Sequence, residues 1–96
     1  MSERLDSEDF ERQVGHAVTF SAEAISFEAE IKQVDLLTQH SADGRQPFAV
    51  LFSTDHSQAF AQKTYTMQHP EMGDQMIFLV PVGPDETGMC YEAIFN

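Results

Sequence analysis

The stretch from Tyr65 to Asn96, YTMQHPEMGDQMIFLVPVGPDETGMCYEAIFN, decides the fold. Tyr65 to His69 is a strand-length run, Pro70-Glu71-Met72-Gly73 a turn, and Gln75 to Val82 a second run. Gly83-Pro84-Asp85-Glu86-Thr87-Gly88 turns again, and Met89 to Asn96 closes the chain. Three strands joined by two short turns make an antiparallel meander. Because the sequence stops at Asn96, the last strand is expected to be integral to the sheet rather than frayed. Proline fixes φ at the first corner, and Gly73 is expected to supply the left-handed residue that returns the chain to the ladder.

Working back from the meander, Phe48-Ala49-Val50-Leu51-Phe52 is a continuous apolar run of strand length, which predicts a strand buried on both faces. From Ile25, apolar and polar residues alternate: Ile25, Phe27, Ala29 and Ile31 on one side, Ser26, Glu28, Glu30 and Lys32 on the other. This is the pattern of a half-buried antiparallel strand. The apolar phase then moves to Val34, Leu36 and Leu37, which predicts a bulge near Gln33. His16 to Phe20 reads as a further strand, Ser21-Ala22-Glu23 as a turn, and Thr38 to Pro47 and Ser53 to Gln58 as polar loops.

Ahead of the strands, residues 1–6 form a polar arm, and Ser7-Glu8-Asp9 offers an N-cap and two first-turn acids. Acids there complement the helix dipole, and Gly15 suits a C-terminus, so a helix is expected from Ser7 to Val14. Phe10 and Val14 share one face of it. A helix this short needs an apolar dock, either an open end of the sheet structure or an outer sheet face. The expected architecture is one all-β domain, a small barrel or sandwich of six or seven strands over residues 16–96, with one N-terminal helix.

Ninety-six residues can bury about two thirds of the unfolded surface, enough for one core without disulfides. The single Cys90 has no partner in the chain, and Met-Ser-Glu-Arg lacks the apolar run of a signal peptide. A reducing, cytoplasmic setting is expected. No apolar run reaches the roughly 18 to 20 residues of a membrane-crossing helix. Sixteen acids against five bases give a net charge of −11, and the five cations are scattered singly. Nucleic acid and anionic membranes are therefore disfavoured as partners, whereas a protein partner or a homo-oligomer fits.

Chemistry is sparse. His16, His40, His56 and His69 fall in or beside turns without ligand spacing, the nearest approximations to a weak metal site being His40 with Asp43 and His56 with Asp55. Glu28 and Glu30, two apart on one strand face, are solvated acids more simply than a carboxylate pair. No nucleophile elbow, phosphate loop or dinucleotide fingerprint occurs, so neither a cofactor nor catalysis is expected. Met76 to Val82 is apolar on both faces. An outer surface carrying Ile77, Leu79 and Ile94, with Met72 at a turn tip, is the expected interaction surface, acting by strand-edge or hydrophobic-face association. The alternative is a small-molecule-binding barrel or cryptic hydrolase with a pocket near His69, Tyr91 and Cys90.

The tail Phe78-Leu79-Val80-Pro81-Val82-Gly83-Pro84 with Tyr91-Glu92-Ala93-Ile94-Phe95-Asn96 resembles that of a bacterial family of small all-β domains of unknown function. So do His69-Pro70-Glu71-Met72-Gly73, Gln46-Pro47-Phe48-Ala49-Val50-Leu51-Phe52 and the Ser7-Glu8-Asp9-Phe10 start with Val14-Gly15. The resemblance spans nearly the whole chain. It implies an accessory or assembly role beside phage-tail-collar-type proteins, and it supplies no activity to carry over.

Overall fold

The computed structural model describes residues 7–37, 47–55, 60–69 and 73–95. Their elements are α1 (Ser7–Glu11), β1 (Ala17–Ala22), β2 (Ile25–Leu36), β3 (Phe48–Ser53), β4 (Lys63–His69), β5 (Gly73–Pro84) and β6 (Met89–Phe95). The strands close into an antiparallel barrel in the order β1-β2-β3-β6-β5-β4. The fold is thus all-β, and of the two expected architectures it is the barrel. Closure removes the full-length sheet edge on which strand-edge association depends, so that half of the expected binding mode is corrected. Most of the expected loop after Thr38, the tip of the Pro70 turn with Met72, and residues 56–59 lie outside the described residues.

Two three-stranded meanders make the barrel. β1-β2-β3 have 6, 12 and 6 residues and β4-β5-β6 have 7, 12 and 7, so each half carries one long middle strand. Each long strand breaks register once, β2 between Ile31 and Gln33 and β5 between Pro81 and Gly83. A bulge lets one strand bend and serve two neighbours in turn: β2 pairs with β1 through Ile25–Glu30 and with β3 through Glu30–Leu36. Pro81 has no N–H to give to the ladder, and Gly83 takes a φ of 119°, so this break falls where the chain can accommodate it.

Alternation puts Val18 and Phe20 of β1, Phe27, Ala29 and Ile31 of β2, Tyr65 and Met67 of β4, and Tyr91 and Ala93 of β6 inside. β3 is buried on both faces except at half-buried Leu51 and Ser53, as its apolar run predicts. The interior is filled by a chain of touching rings: Phe10 with Phe95 (5.2 Å), Phe10 with Phe52 (6.4 Å), Phe52 with Phe20 (4.9 Å), Phe20 with Phe27 (5.6 Å), and Phe27 with Phe60 (4.9 Å). Edge-on, tilted and stacked contacts of this kind add to the stabilisation each ring gains from burial. At the Phe60 end the backbone N–H of Phe60 donates to the Tyr91 hydroxyl (2.8 Å), and the Tyr65 hydroxyl donates to the Ala61 carbonyl (2.6 Å). The two buried phenols thereby strap Phe60 and Ala61 to the barrel.

Helix α1 is shorter than expected, ending at Glu11 rather than Val14. The cause is Gly15, at φ 92°, whose N–H donates to the Ile31 carbonyl (2.8 Å) while Ile31 N–H donates to the His16 carbonyl (3.0 Å). The chain is already committed to the β2 ladder there. Phe10 alone docks, between Phe48, Phe52 and Phe95 at one barrel end, whereas Val14 is 44% exposed. The helix therefore plugs an end of the barrel and covers no outer face of β5.

The expected outer surface also needs correction. Ile77 (4% exposed) and Leu79 (0%) face the core, and their neighbours Met76 (75%), Phe78 (51%) and Val82 (50%) face out. The β4 register explains the phase. Buried Tyr65 pairs with Ile77 and takes it inward, while Thr64 and Thr66 pair with Phe78 and Met76 and hold them outward.

Candidate functional site

The strand phase of β5 and β6 sets the outer face. Outward along β5 come Asp74, Met76, Phe78 and half-buried Val80; outward along β6 come Glu92 and half-exposed Ile94. Val80 pairs with Glu92, and Ala49 and Leu51 of β3 pair with Ile94 and Glu92. Met76 and Phe78 stand opposite Thr66 and Thr64 of β4, and Ile94, on the adjoining β6, stands opposite the small Ala49. Exposed apolar side chains grouped on neighbouring strands, rather than scattered, mark a contact surface. Of the residues expected at the interaction surface, Ile94 is on this face, Ile77 and Leu79 are behind it in the core, and Met72 lies outside the described residues. Met76, Phe78 and Val82 were missed by the sequence reading.

A second cluster surrounds Asp85 in the β5–β6 turn. Its Oδ1 accepts the backbone N–H groups of Thr87 (2.8 Å) and Gly88 (3.0 Å), closing the turn. Its Oδ2 accepts the Lys32 ammonium (2.6 Å) and the Ser53 hydroxyl (3.1 Å). Lys32 is the residue skipped by the β2 bulge, which is how it comes to point at a turn 53 positions away. The Lys32 hydrogen bond, then the two backbone N–H bonds, hold the Asp85 carboxyl well below the usual carboxylate range, and the same bond raises Lys32. Both oxygens of Asp85 are engaged and Lys32 keeps its proton, so the cluster is a staple between β2, β3 and the turn.

Cys90 sits under this staple. Its thiol is buried at 4% exposed, and burial, followed by the nearby Asp85, pushes its pKa up. A protonated, enclosed thiol is a poor nucleophile at neutral pH. Cys90 projects outward from β6 while Tyr91 projects into the ring-filled interior, and His69 sits at the opposite end of β5, paired with Gly73. The structure does not bring His69, Tyr91 and Cys90 to one wall, which corrects the expected pocket. His16 is exposed, and His40 and His56 lie outside the described residues.

Beside the staple, a cavity of about 300 Å³ opens between β2 and the end of β3. Ala17 and Ala29 form its apolar wall, Ser53, Thr54 and Thr87 supply hydroxyls, and Glu28, Glu30 and Asp55 edge it with carboxylates. Thr54 and Thr87 are tied back to the frame, Thr54 Oγ donating to the Met89 carbonyl (2.7 Å) and Thr87 Oγ to the Thr54 carbonyl (3.2 Å). Among the described residues, no group of three or more His, Cys, Asp or Glu could hold a metal ion, and no helix is long and apolar enough to cross a membrane.

No curated protein and no solved structure matches the chain. A family model does, over residues 5–95, and its match takes in the N-terminal helix, the six strands of the barrel and the tail motif up to Phe95. The chain therefore belongs to the family described as the domain of unknown function DUF6916.

Proposed function

We propose that the protein is a non-catalytic protein-interaction or assembly module that docks through the outer face of β5 and β6. The observation that carries this reading is the placement of Met76, Phe78 and Ile94, each half or more exposed, on adjoining strands of a closed barrel. A filled interior supports it further, because the ring column occupies the lumen where a barrel that binds small molecules would hold its ligand. The engaged Asp85 and the enclosed Cys90 favour structure over catalysis at the staple. The setting we assign is accessory to a larger, phage-tail-like structural assembly, as the tail resemblance implies.

Light-scattering chromatography of the protein, alone and mixed with the product of the adjacent gene, tests the proposal. Association that disappears in Phe78→Asp and Ile94→Asp but survives Glu11→Lys is the expected result. Association unchanged by both face variants would overturn it.

A further inference from the structure

We infer that the partner segment received by the β5/β6 face is basic as well as apolar: a stretch of another protein in which Lys or Arg flank large aliphatic or aromatic side chains. The inference rests on the interaction reading above and adds the charge of the partner. β3, β5 and β6 contain no lysine or arginine. Their charged residues are Asp74, two positions before Met76 in the same outward phase, and Glu92, which pairs with Val80 and Leu51 between the apolar side chains. Asp35 of β2 adds a third carboxylate, opposite Ala49.

The described cations are each engaged: Arg12 with Asp9 (2.7 Å) and Lys32 with Asp85 (2.6 Å), and Lys63, on β4 opposite Leu79, with Glu23 (3.3 Å). The face therefore presents apolar side chains inside a rim of carboxylates, with Lys63 on its β4 side taken up by Glu23. A second copy would set that rim against itself and bring two charges of −11 together. Screening at physiological salt acts beyond about 8 Å, so carboxylates brought into contact across such an interface would still repel. Basic flanks on the partner turn the same rim into attraction, and the closed barrel requires contact by side chains on the face rather than by an added strand.

The test uses three synthetic amphipathic peptides of one pattern, Leu/Lys, Leu/Gln and Leu/Glu, titrated by fluorescence anisotropy against the full chain and its variants. The Leu/Lys peptide is expected to bind the unaltered chain. Phe78→Asp and Glu92→Lys should each weaken it about fivefold or more, and Glu11→Lys, on the exposed helix, by less than about twofold. Binding should also weaken several-fold between about 50 and about 300 mM salt. Equal, Phe78-dependent binding of the Leu/Gln or Leu/Glu peptide would overturn the basic partner and leave the interaction reading standing. A homodimer abolished by Phe78→Asp would overturn it in favour of a second copy. Binding of every peptide without dependence on Phe78 or Ile94 would overturn both readings. Thermal melts of each variant establish that loss of binding is not loss of fold.

Discussion

Phe10 and Asp85 show two ways in which one side chain joins parts of the chain that backbone hydrogen bonds do not connect. Phe10, fully buried on a five-residue helix, seals a barrel end against Phe48, Phe52 and Phe95. Phe10→Ala is expected to cost about 3–5 kcal/mol, read from the midpoint of a urea titration with unchanged slope. Asp85 acts through charge. Its carboxyl is depressed in the folded state, so its contribution is complete above the unfolded value near 4 and is lost as pH falls below that. Asp85→Asn should lower the melting temperature at pH 7 and flatten its fall between about pH 4 and about pH 2; equal acid sensitivity in both proteins would refute this. Cys90 is enclosed, so Ellman's reagent should label it only as the chain unfolds. The roles differ in legibility. Phe10 was readable from a capped helix with an apolar face, but Asp85 meeting Lys32 depends on a bulge 53 positions away, which no local pattern records.

At the scale of the strand, alternation shows which residues share a face but not which face is inside when both are apolar. β2 was unambiguous because Glu28, Glu30 and Lys32 mark its outside. β5 was ambiguous, and its phase is set by its partner: Thr64 and Thr66 of β4 stand opposite Phe78 and Met76, a signal in the sequence that becomes usable once the Gly73 hairpin fixes the register. Adjacent residues should therefore respond in opposite ways. Leu79→Asp buries an unpaired carboxylate in the core and is expected to unfold the protein, whereas Phe78→Asp should change stability by no more than about 1 kcal/mol, both read by circular dichroism melts. Gly83, at φ 119° with open space around its Cα, carries a backbone requirement only. Gly83→Ala should cost about 1–2 kcal/mol and leave the binding face intact, measured by urea titration.

Across the whole molecule, the barrel is a ring with two joints between its halves. Among the described residues one joint, β3 with β6, has six residue pairs, and the other, β1 with β4, has three, Thr19–Ser21 against Thr66–Gln68. Local opening begins where fewest hydrogen bonds hold the backbone, so amides of Thr19–Ser21 and Thr66–Gln68 should exchange with deuterium before those of Ala49–Phe52 and Tyr91–Ala93. The reverse order in an exchange experiment would contradict this account of the ring. Each meander was legible because its turns and alternation are local, but closure was not, since it depends on which strand of one half lies beside which of the other.

The same two joints bear on how the chain comes to exist during synthesis. The first meander leaves the ribosome with β1 and β3 each lacking a neighbour; β1 gains one only with β4 and β3 only with β6, the last strand. For that interval the growing chain carries two bare edges, and a half from a neighbouring polypeptide satisfies them as well as its own would. Crowded production therefore favours exchange of halves between molecules, and slow synthesis at low concentration favours a ring closed within one chain.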